Sequence, residues 1–310
     1  MPASTATSTS TAAIRHSYVQ ANGIRFHLAL AGEDRPAAPL VLMLHGFPEC
    51  WYSWRHQLAA LGAHALCAAP DLRGYGETDK PRRGYDLDTL AADAAALIRA
   101  LGRERAVVVG HDWGGAIALH LAERHPEHIE RLCLLNAVAA DDLAAAIFRR
   151  PAQLRRSWYI LSFALPLLPE RRLSRQECAI VPRILLAGAR RREAFTREDL
   201  EVFRRALARP GAVRAALAYY RTGMVQQLRR PWRLWRLVLR PAAAIRPLAV
   251  PGLVLWGRDD PFLGVELLDD LRARFAGPLT IRLLERCGHW TQQEAAAEVN
   301  RELQAFVQGR

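Results

Sequence analysis

One aspartate stands where a strand-to-helix turn would expose a nucleophile. An apolar run and a helical stretch are joined by the glycine-rich segment Val108-Val-Gly110-His-Asp112-Trp-Gly114-Gly115, and such a turn projects its central residue from the sheet. A carboxylate that attacks an sp3 carbon leaves an ester, which water cleaves at the enzyme's own carbonyl. Asp112 therefore favours ring opening or halide displacement over ordinary ester hydrolysis. An isolated aspartate often only caps a helix, but the flanking glycines and strand favour the nucleophile.

A second loop is placed to supply hydrogen-bond donors. The sequence His-Gly-Phe-Pro at positions 45–48 directly follows an apolar run. Such a loop turns the backbone N–H of Phe47 toward the nucleophile, where the N–H of Trp113 joins it as an oxyanion hole. Pro48 is a candidate for a cis peptide bond.

The third element is a late histidine preceded by an acidic loop. Trp256-Gly-Arg-Asp259-Asp260 follows one predicted strand end, and Cys287-Gly-His289 follows another. Nucleophile, acid and histidine in this chain order form a known triad arrangement. His289 is expected to activate water, while an aspartate fixes its tautomer. The residues alone do not decide between Asp259 and Asp260.

The elements that must position these residues alternate between strand and helix. A hairpin is predicted around Asn22-Gly23, and a helix capped by Asp86 or Asp88 is predicted over Leu87–Leu101. Strands buried on both faces are predicted at Leu40–Leu44, Ala106–Val109, Leu132–Leu135 and Leu253–Trp256. This alternation indicates an α/β fold with a mostly parallel central sheet flanked by helices. A last amphipathic helix is predicted from about Gln292 to Val307.

The alternation stops after Asn136, where helical segments rich in Ala, Leu and Arg are punctuated by prolines. We predict a helical cap, or lid, at 139–247. It is inserted into an α/β core that spans 15–138 and 248–310. The Ala, Ser and Thr-rich segment before it, 1–14, is predicted to be a disordered leader.

The composition argues against several classes. The five cysteines are an odd number without a CxxC spacing, which argues against a disulfide framework or a zinc site and indicates a reducing cytoplasm. No apolar stretch is long enough for a transmembrane segment. The net charge is +12, and 139–250 carries 23 Arg against 8 Asp and Glu. The lack of a recognised motif argues against nucleic-acid binding. An anionic partner or surface, or a homo-oligomer, stays open.

Together these motifs resemble the epoxide hydrolase and haloalkane dehalogenase branch of the α/β-hydrolase superfamily. The resemblance covers roughly Tyr18 to Val307 and includes the loop Pro70-Asp-Leu-Arg-Gly-Tyr-Gly76. By resemblance, Asp260, which precedes Pro261, takes the position of the acid. The resemblance implies a hydrolase acting on ether bonds, which converts a small-molecule epoxide to a vicinal diol without cofactor or metal.

In epoxide hydrolases, two lid tyrosines hydrogen-bond and protonate the epoxide oxygen. Ser157-Trp-Tyr159 matches the first motif at Tyr159, and Ala218-Tyr-Tyr220 matches the second at Tyr220. Either tyrosine alone could be a packing residue, and Tyr219 is the neighbour most easily confused with Tyr220. The predicted substrate pocket also contains His45, Pro48, Trp158, Phe163 and Trp290.

Two alternatives stay open. Haloalkane dehalogenases share the Asp112-Trp113 pair and use the tryptophan indole to bind halide, but they often carry Asn where Phe47 stands and lack the tyrosine pair. Fluoroacetate dehalogenases share the His-Gly-Phe-Pro start, but in them an arginine that binds the substrate carboxylate follows the nucleophile. In this chain Trp113 stands at that position. A non-catalytic receptor with this fold is disfavoured because nucleophile, acid and base are all present.

Overall fold

The structure, a computed structural model, describes residues 12–35, 37–228 and 247–309. Its strands are β1 Arg15–Ala21, β2 Ile24–Ala31, β3 Leu40–Leu44, β4 Leu66–Pro70, β5 Ala106–His111, β6 Ile129–Leu135, β7 Gly252–Gly257 and β8 Leu279–Leu284. Within the described residues they form one eight-stranded sheet in the order β1-β2-β4-β3-β5-β6-β7-β8. The pairs β1–β2 and β2–β4 are antiparallel, and the other neighbours are parallel. The predicted fold class is confirmed.

The predicted hairpin is β1 and β2, which pair from Arg15 opposite Leu30 to Ala21 opposite Ile24. Both turn residues have positive φ angles, 44° at Asn22 and 78° at Gly23. A two-residue turn of this kind matches the right-handed twist of the strands, which is why the Asn-Gly pair predicts it.

The sheet is buried on both faces because its central strands contribute side chains to two cores. Leu40, Leu42 and Leu44 of β3 point into one core, whereas Val41 and Met43 point into the other. Successive side chains of a strand alternate between faces, so a doubly covered strand is apolar at every position.

The helices complete the layers. Their bounds are α1 Arg55–Leu61, α2 Leu87–Ala100, α3 Trp113–Arg124, α4 Ala140–Arg149, α5 Pro151–Ala164, α6 Leu168–Ser174, α7 Val181–Gly188, α8 Arg197–Ala208, α9 Ala212–Leu228, α10 Leu268–Arg272, α11 Thr291–Glu294 and α12 Ala296–Val307. Apolar residues of α1 and α12 pack on one face of the sheet, and those of α2, α3 and α10 on the other. Asp86 caps α2 by accepting a hydrogen bond from the Thr89 N–H, so of the two predicted caps Asp86 fills the position. The predicted last helix is divided at Ala295 into α11 and α12.

The stretch between β6 and β7 holds α4 to α9. Prolines in the first turn begin three of these helices, at Pro151 in α5, Pro169 in α6 and Pro182 in α7. The first turn tolerates proline because the N–H groups there lack helical partners. None of the described helices is both long and apolar enough to cross a bilayer.

Some of the predicted boundaries fall outside the described ranges. Residues 1–11 of the predicted leader lie outside them, but the Ala12 N–H donates to the Ala59 carbonyl, and Ile14 packs against the core. The packed chain therefore includes residues 12–14, which the prediction assigned to the leader. The predicted cap end at 247 adjoins residues 229–246, which are also outside, so the domain bounds stay a prediction.

Candidate active site

The turn between β5 and α3 carries Asp112 in a strained backbone conformation. Its φ is +49° and its ψ is −118°, and its side chain makes no capping hydrogen bond to α3. A side chain on Gly114 would collide with the backbone of Leu44, and one on Gly110 would collide with the backbone of Gly114 and Gly115. Glycine at these two places lets α3 approach the sheet closely, which holds Asp112 at the carboxyl end of β5.

The loop after β3 lies beside this carboxylate. Because β3 and β5 are parallel neighbours, their carboxyl ends share one edge of the sheet. The Phe47 N–H donates a hydrogen bond of 2.9 Å to Asp112 Oδ1, and the peptide bond between Phe47 and Pro48 is cis. The second predicted donor, the Trp113 N–H, belongs to the first residue of α3, and its role stays a prediction.

The predicted histidine and acid meet the nucleophile at the same edge. His289 Nδ1 lies 2.7 Å from Asp260 Oδ2, and His289 Nε2 lies 3.7 Å from Asp112 Oδ2. Asp260 Oδ2 also accepts from the Asn136 amide at 2.6 Å, and Oδ1 accepts from the N–H groups of Phe262 and Leu263. Asp259 points outward to Arg190 at 3.5 Å, so of the two neighbours only Asp260 contacts the histidine.

The three groups form a buried cluster of alternating charge. Burial lowers the pKa of His289, but the adjacent Asp260 and Asp112 outweigh burial and raise it to about 10. Burial raises the pKa of Asp112, yet His289 and the Phe47 N–H bring it below its ordinary value. The pKa of Asp260 is likewise held low against burial, chiefly by His289. At neutral pH the cluster holds two carboxylates with an imidazolium between them.

Tyr159 on α5 and Tyr220 on α9 line the same cavity as Asp112. Their ring centroids are 6.4 Å apart. Burial, reinforced by the charge of Asp112, raises the pKa of each phenol well above its ordinary value. Both therefore remain protonated at neutral pH, as a hydrogen-bond donor to a substrate oxygen requires.

Tyr219, the neighbour of Tyr220 in the sequence, does not line the cavity. The Tyr219 hydroxyl donates to the Arg73 carbonyl at 2.8 Å and is fully buried. The Trp113 ring packs edge-on against the Tyr220 ring, with centroids 5.1 Å apart.

The cavity has a volume of about 470 Å³. It is lined by Phe47, Asp112, Arg155, Arg156, Trp158, Tyr159, Ser162, Phe163, Leu168, Pro169, Arg172, Leu173, Ile180, Ile184, Ala187, Tyr220, Pro261, Phe262, His289 and Trp290. Of the predicted pocket residues, Trp158, Phe163 and Trp290 line this cavity. The Trp290 indole also donates to the Leu185 carbonyl at 2.7 Å, which ties α7 to the loop that bears His289.

Two predicted pocket residues do not line this cavity. His45 is fully buried, with Nδ1 2.9 Å from the Gly46 carbonyl and Nε2 accepting from the Leu72 N–H at 3.1 Å. Both ring nitrogens are thus used to fix the loop. Pro48 is also buried, and its peptide bond with Phe47 is cis. Both residues shape the loop rather than the cavity wall.

Sequence reasoning missed a buried polar network that contacts the backbone carbonyl of His289. His111 Nδ1 lies 2.8 Å from Glu49 Oε2, and His111 Nε2 lies 2.9 Å from the His289 carbonyl. Glu49 also accepts from Ser53 and from Gln292, whose amide is 3.0 Å away. The His111 ring is thus held between the Glu49 carboxylate and the His289 carbonyl. Glu49 and His111 adjoin the recognised motifs, but their partners lie far along the chain.

No metal site accompanies these groups in the described part of the chain, where no cluster of three or more His, Cys, Asp or Glu side chains is arranged for an ion.

Comparisons with known proteins show the family to which this chain belongs. The family model described as the alpha/beta hydrolase fold matches residues 39–296. Epoxide hydrolase 4 of Homo sapiens is 34% identical over 94% of this chain and 78% of that protein. Epoxide hydrolase 3 of Xenopus tropicalis is 34% identical over 96% of this chain and 79% of that protein.

Solved structures give the same result. The Bacillus megaterium epoxide hydrolase in complex with an inhibitor superposes with a TM-score of 0.83 at 26% identity. The match covers 94% of this chain and 100% of that one. The chain therefore belongs to the α/β-hydrolase superfamily, within the family of epoxide hydrolases.

Proposed function

We propose that the protein converts an epoxide to a vicinal diol through a covalent ester on Asp112. The observation that carries the proposal is one cavity whose wall contains the Asp112 carboxylate together with two protonated phenols, Tyr159 and Tyr220. A nucleophile and proton donors at one substrate are what the opening of a strained ether needs, because a bare alkoxide is a poor leaving group.

In the first step, Asp112 Oδ2 attacks a ring carbon. Oδ1 already accepts from the Phe47 N–H, so it becomes the carbonyl oxygen of the ester and leaves Oδ2 as the attacking atom. As the new C–O bond forms, the ring C–O bond breaks and a phenol of Tyr159 or Tyr220 protonates the departing oxygen. The result is a hydroxyalkyl ester of Asp112.

In the second step, water attacks the carbonyl carbon of this ester. Esterification removes the charge of Asp112, one of the two carboxylates that raise the pKa of His289. The pKa of His289 therefore falls, and the proton that the ring gives up restores the phenol that protonated the epoxide oxygen. The neutral ring is then a base for water. Asp260 holds the tautomer with the proton on Nδ1, while the Phe47 and Trp113 N–H groups stabilise the oxyanion. Collapse of the tetrahedral intermediate releases the diol and regenerates Asp112.

The helices α4 to α9 act as the cap in this proposal. They supply both phenols, and they are tied to the loops that bear the triad. The Gln153 amide donates to the Phe262 carbonyl beside Asp260, and the His289 N–H donates to the Gly188 carbonyl at the end of α7. The predicted cytoplasmic location also remains part of the proposal, since all five cysteines are buried and unpaired.

A paired assay tests the function. Diol formation from styrene oxide and from aliphatic epoxides is measured beside halide release from haloalkanes and haloacetates, with Asp112→Ala as the control. We expect diol formation that is lost in Asp112→Ala. Halide release without diol would establish a dehalogenase instead.

A further inference from the structure

Helix α5 is apolar on two opposite faces. Its inner face presents Tyr159 and Phe163 to the cavity. Its outer face carries Leu154, Trp158 and Leu161, and Leu165 directly follows its last residue; the exposed fractions of these four side chains are 43%, 60%, 49% and 50%. These positions fall within about 60° of the helix circumference, so they form one stripe. A stripe of four large apolar side chains in water indicates a surface that another molecule covers.

The next helix adds positive charge beside this stripe. On α6 and its C-terminal residue, Leu168 is followed at the i+3, i+4 and i+7 positions by Arg171, Arg172 and Arg175, which share one helix face. Leu168 is 63% exposed and the three arginines are exposed. Arg155, also exposed, flanks the stripe on α5. Within the described ranges, none of these four arginines has an acidic partner.

The stripe and the basic face meet at the mouth of the active-site cavity. Trp158 and Arg155 from α5 and Leu168 and Arg172 from α6 all line that cavity while remaining exposed to solvent. The cavity therefore opens within a surface that is apolar at its centre and cationic at its edge.

We propose that this surface docks on an anionic phospholipid bilayer. The docking face is defined as Leu154, Trp158, Leu161, Leu165 and Leu168 with Arg155, Arg171, Arg172 and Arg175. Leucine and tryptophan on one helix face beside arginines are the pattern of helices that lie in the bilayer interface. Tryptophan favours the headgroup level, and each arginine near an anionic leaflet adds attraction.

Charge selects the bilayer over the other occupants. A second copy packed on this face would bring two sets of four arginines together. The segment at 229–246 contains six arginines and no acidic residue, so it too is repelled by the docking face. An anionic lipid surface complements both the apolar stripe and the charge.

Docking would place the cavity mouth against the membrane. An apolar epoxide dissolved in the bilayer would then pass between α5 and α6 to Asp112 without crossing water. This consequence rests on the proposed function, whereas the docking itself does not.

Vesicle co-sedimentation of the full chain tests the docking without reference to activity. Vesicles of phosphatidylcholine alone are compared with vesicles of two parts phosphatidylcholine to one part phosphatidylserine, at low and high salt. The variants are Arg171→Glu with Arg175→Glu, and Leu161→Glu with Leu165→Glu. None of these four residues lines the cavity, so hydrolysis of a water-soluble epoxide serves as a separate check of the proposed function.

Matched controls change exposed residues elsewhere. Leu283 on β8 is 38% exposed, and Leu283→Glu repeats the loss of an apolar side chain. Arg272→Glu with Arg301→Glu repeats the charge reversal on α10 and α12, where both arginines are exposed. Thermal unfolding of every variant shows that it is folded.

We expect the wild-type chain to sediment with the anionic vesicles and not with phosphatidylcholine alone, and to be released by salt. Each docking-face variant should lower the partition coefficient about tenfold or more, and the controls should not. Wild-type protein that stays in solution with anionic vesicles, or docking-face variants that sediment like the controls, would overturn the proposal. A wild-type dimer that Leu161→Glu dissociates would also overturn it, since the stripe would then be a dimer interface.

Discussion

Replacing Asp260 with asparagine tests the proposed acid at the level of single hydrogen bonds. Each carboxylate oxygen faces two donors. Oδ2 accepts from His289 and Asn136 at 2.7 and 2.6 Å, and Oδ1 accepts from the N–H groups of Phe262 and Leu263 at 2.7 and 3.0 Å. An asparagine at this position therefore sets its NH2 group against donors whichever way the amide is turned.

The magnitudes follow from this arrangement. A buried donor left without an acceptor lowers the free energy of unfolding by about 1–3 kcal/mol. If the NH2 group instead donates to Nδ1, the proton of His289 moves to Nε2, which then cannot accept a proton from water. We expect ester hydrolysis to slow by about 10⁴-fold, as in triads whose acid is replaced by its amide. Attack by Asp112 needs no base, so the ester should accumulate.

Intact-protein mass spectrometry after mixing Asp260→Asn with styrene oxide measures this directly. We expect an adduct of one substrate mass that maps to Asp112 after digestion. The matched control is Asp259→Asn, whose partly exposed carboxylate pairs with Arg190 at 3.5 Å and which should turn over like the wild type. Diol turnover by Asp260→Asn within about tenfold of the wild type, without adduct, would refute the assignment of the acid.

Three further predictions follow from the same geometry. Tyr159→Phe and Tyr220→Phe should each lower kcat by about 10- to 100-fold, and together by about 10²- to 10⁴-fold, in a diol-formation assay; Tyr219→Phe should lose about 1 kcal/mol of stability and keep its activity. Gly114→Ala places a methyl group against the β3 backbone, so denaturant unfolding should show a loss of at least about 3 kcal/mol or no folded protein; unchanged stability would contradict the close approach of α3. The pKa of His289 is raised from 6.5 to about 10, so its contribution to stability is complete below pH 6.5 and is lost as the pH rises toward 10. Unfolding measured across that range should show a larger loss in the wild type than in His289→Gln, and equal slopes would contradict the charge cluster.

The residues that follow strands were predictable because the strands themselves are local patterns. Short apolar runs predict buried parallel strands, and the carboxyl ends of such strands meet at one edge. Asp112, Phe47 and Asp260 each follow such a strand, and His289 follows the edge strand β8, so the sequence predicts that they come together. The choice between Asp259 and Asp260 is different, because adjacent residues in a turn share the same local pattern. Only their side-chain directions, one toward His289 and one toward Arg190, separate them.

The cavity walls were less predictable because they depend on how the helices between β6 and β7 pack. Ile184 and Phe262 line the cavity from α7 and from the loop after β7, and no periodicity relates two such distant segments. The prediction of His45 as a pocket residue met a related difficulty. Its Nε2 accepts from the N–H of Leu72, which lies in a loop far along the chain. The pairing of His111 with Glu49 also spans 62 residues. A polar residue near a motif predicts proximity to the site, but only its partners decide whether it faces substrate or fixes a loop.

The central claim is that the oxygen added to the substrate comes from Asp112 and not directly from water. A single turnover with enzyme in excess over styrene oxide, carried out in H2¹⁸O, tests this most directly. The ester route predicts a first-turnover diol without ¹⁸O and an Asp112 carboxylate that gains the label, because water attacks the ester carbonyl. A first-turnover diol that carries ¹⁸O, with Asp112 unlabelled, would contradict the account and show that water opens the ring itself.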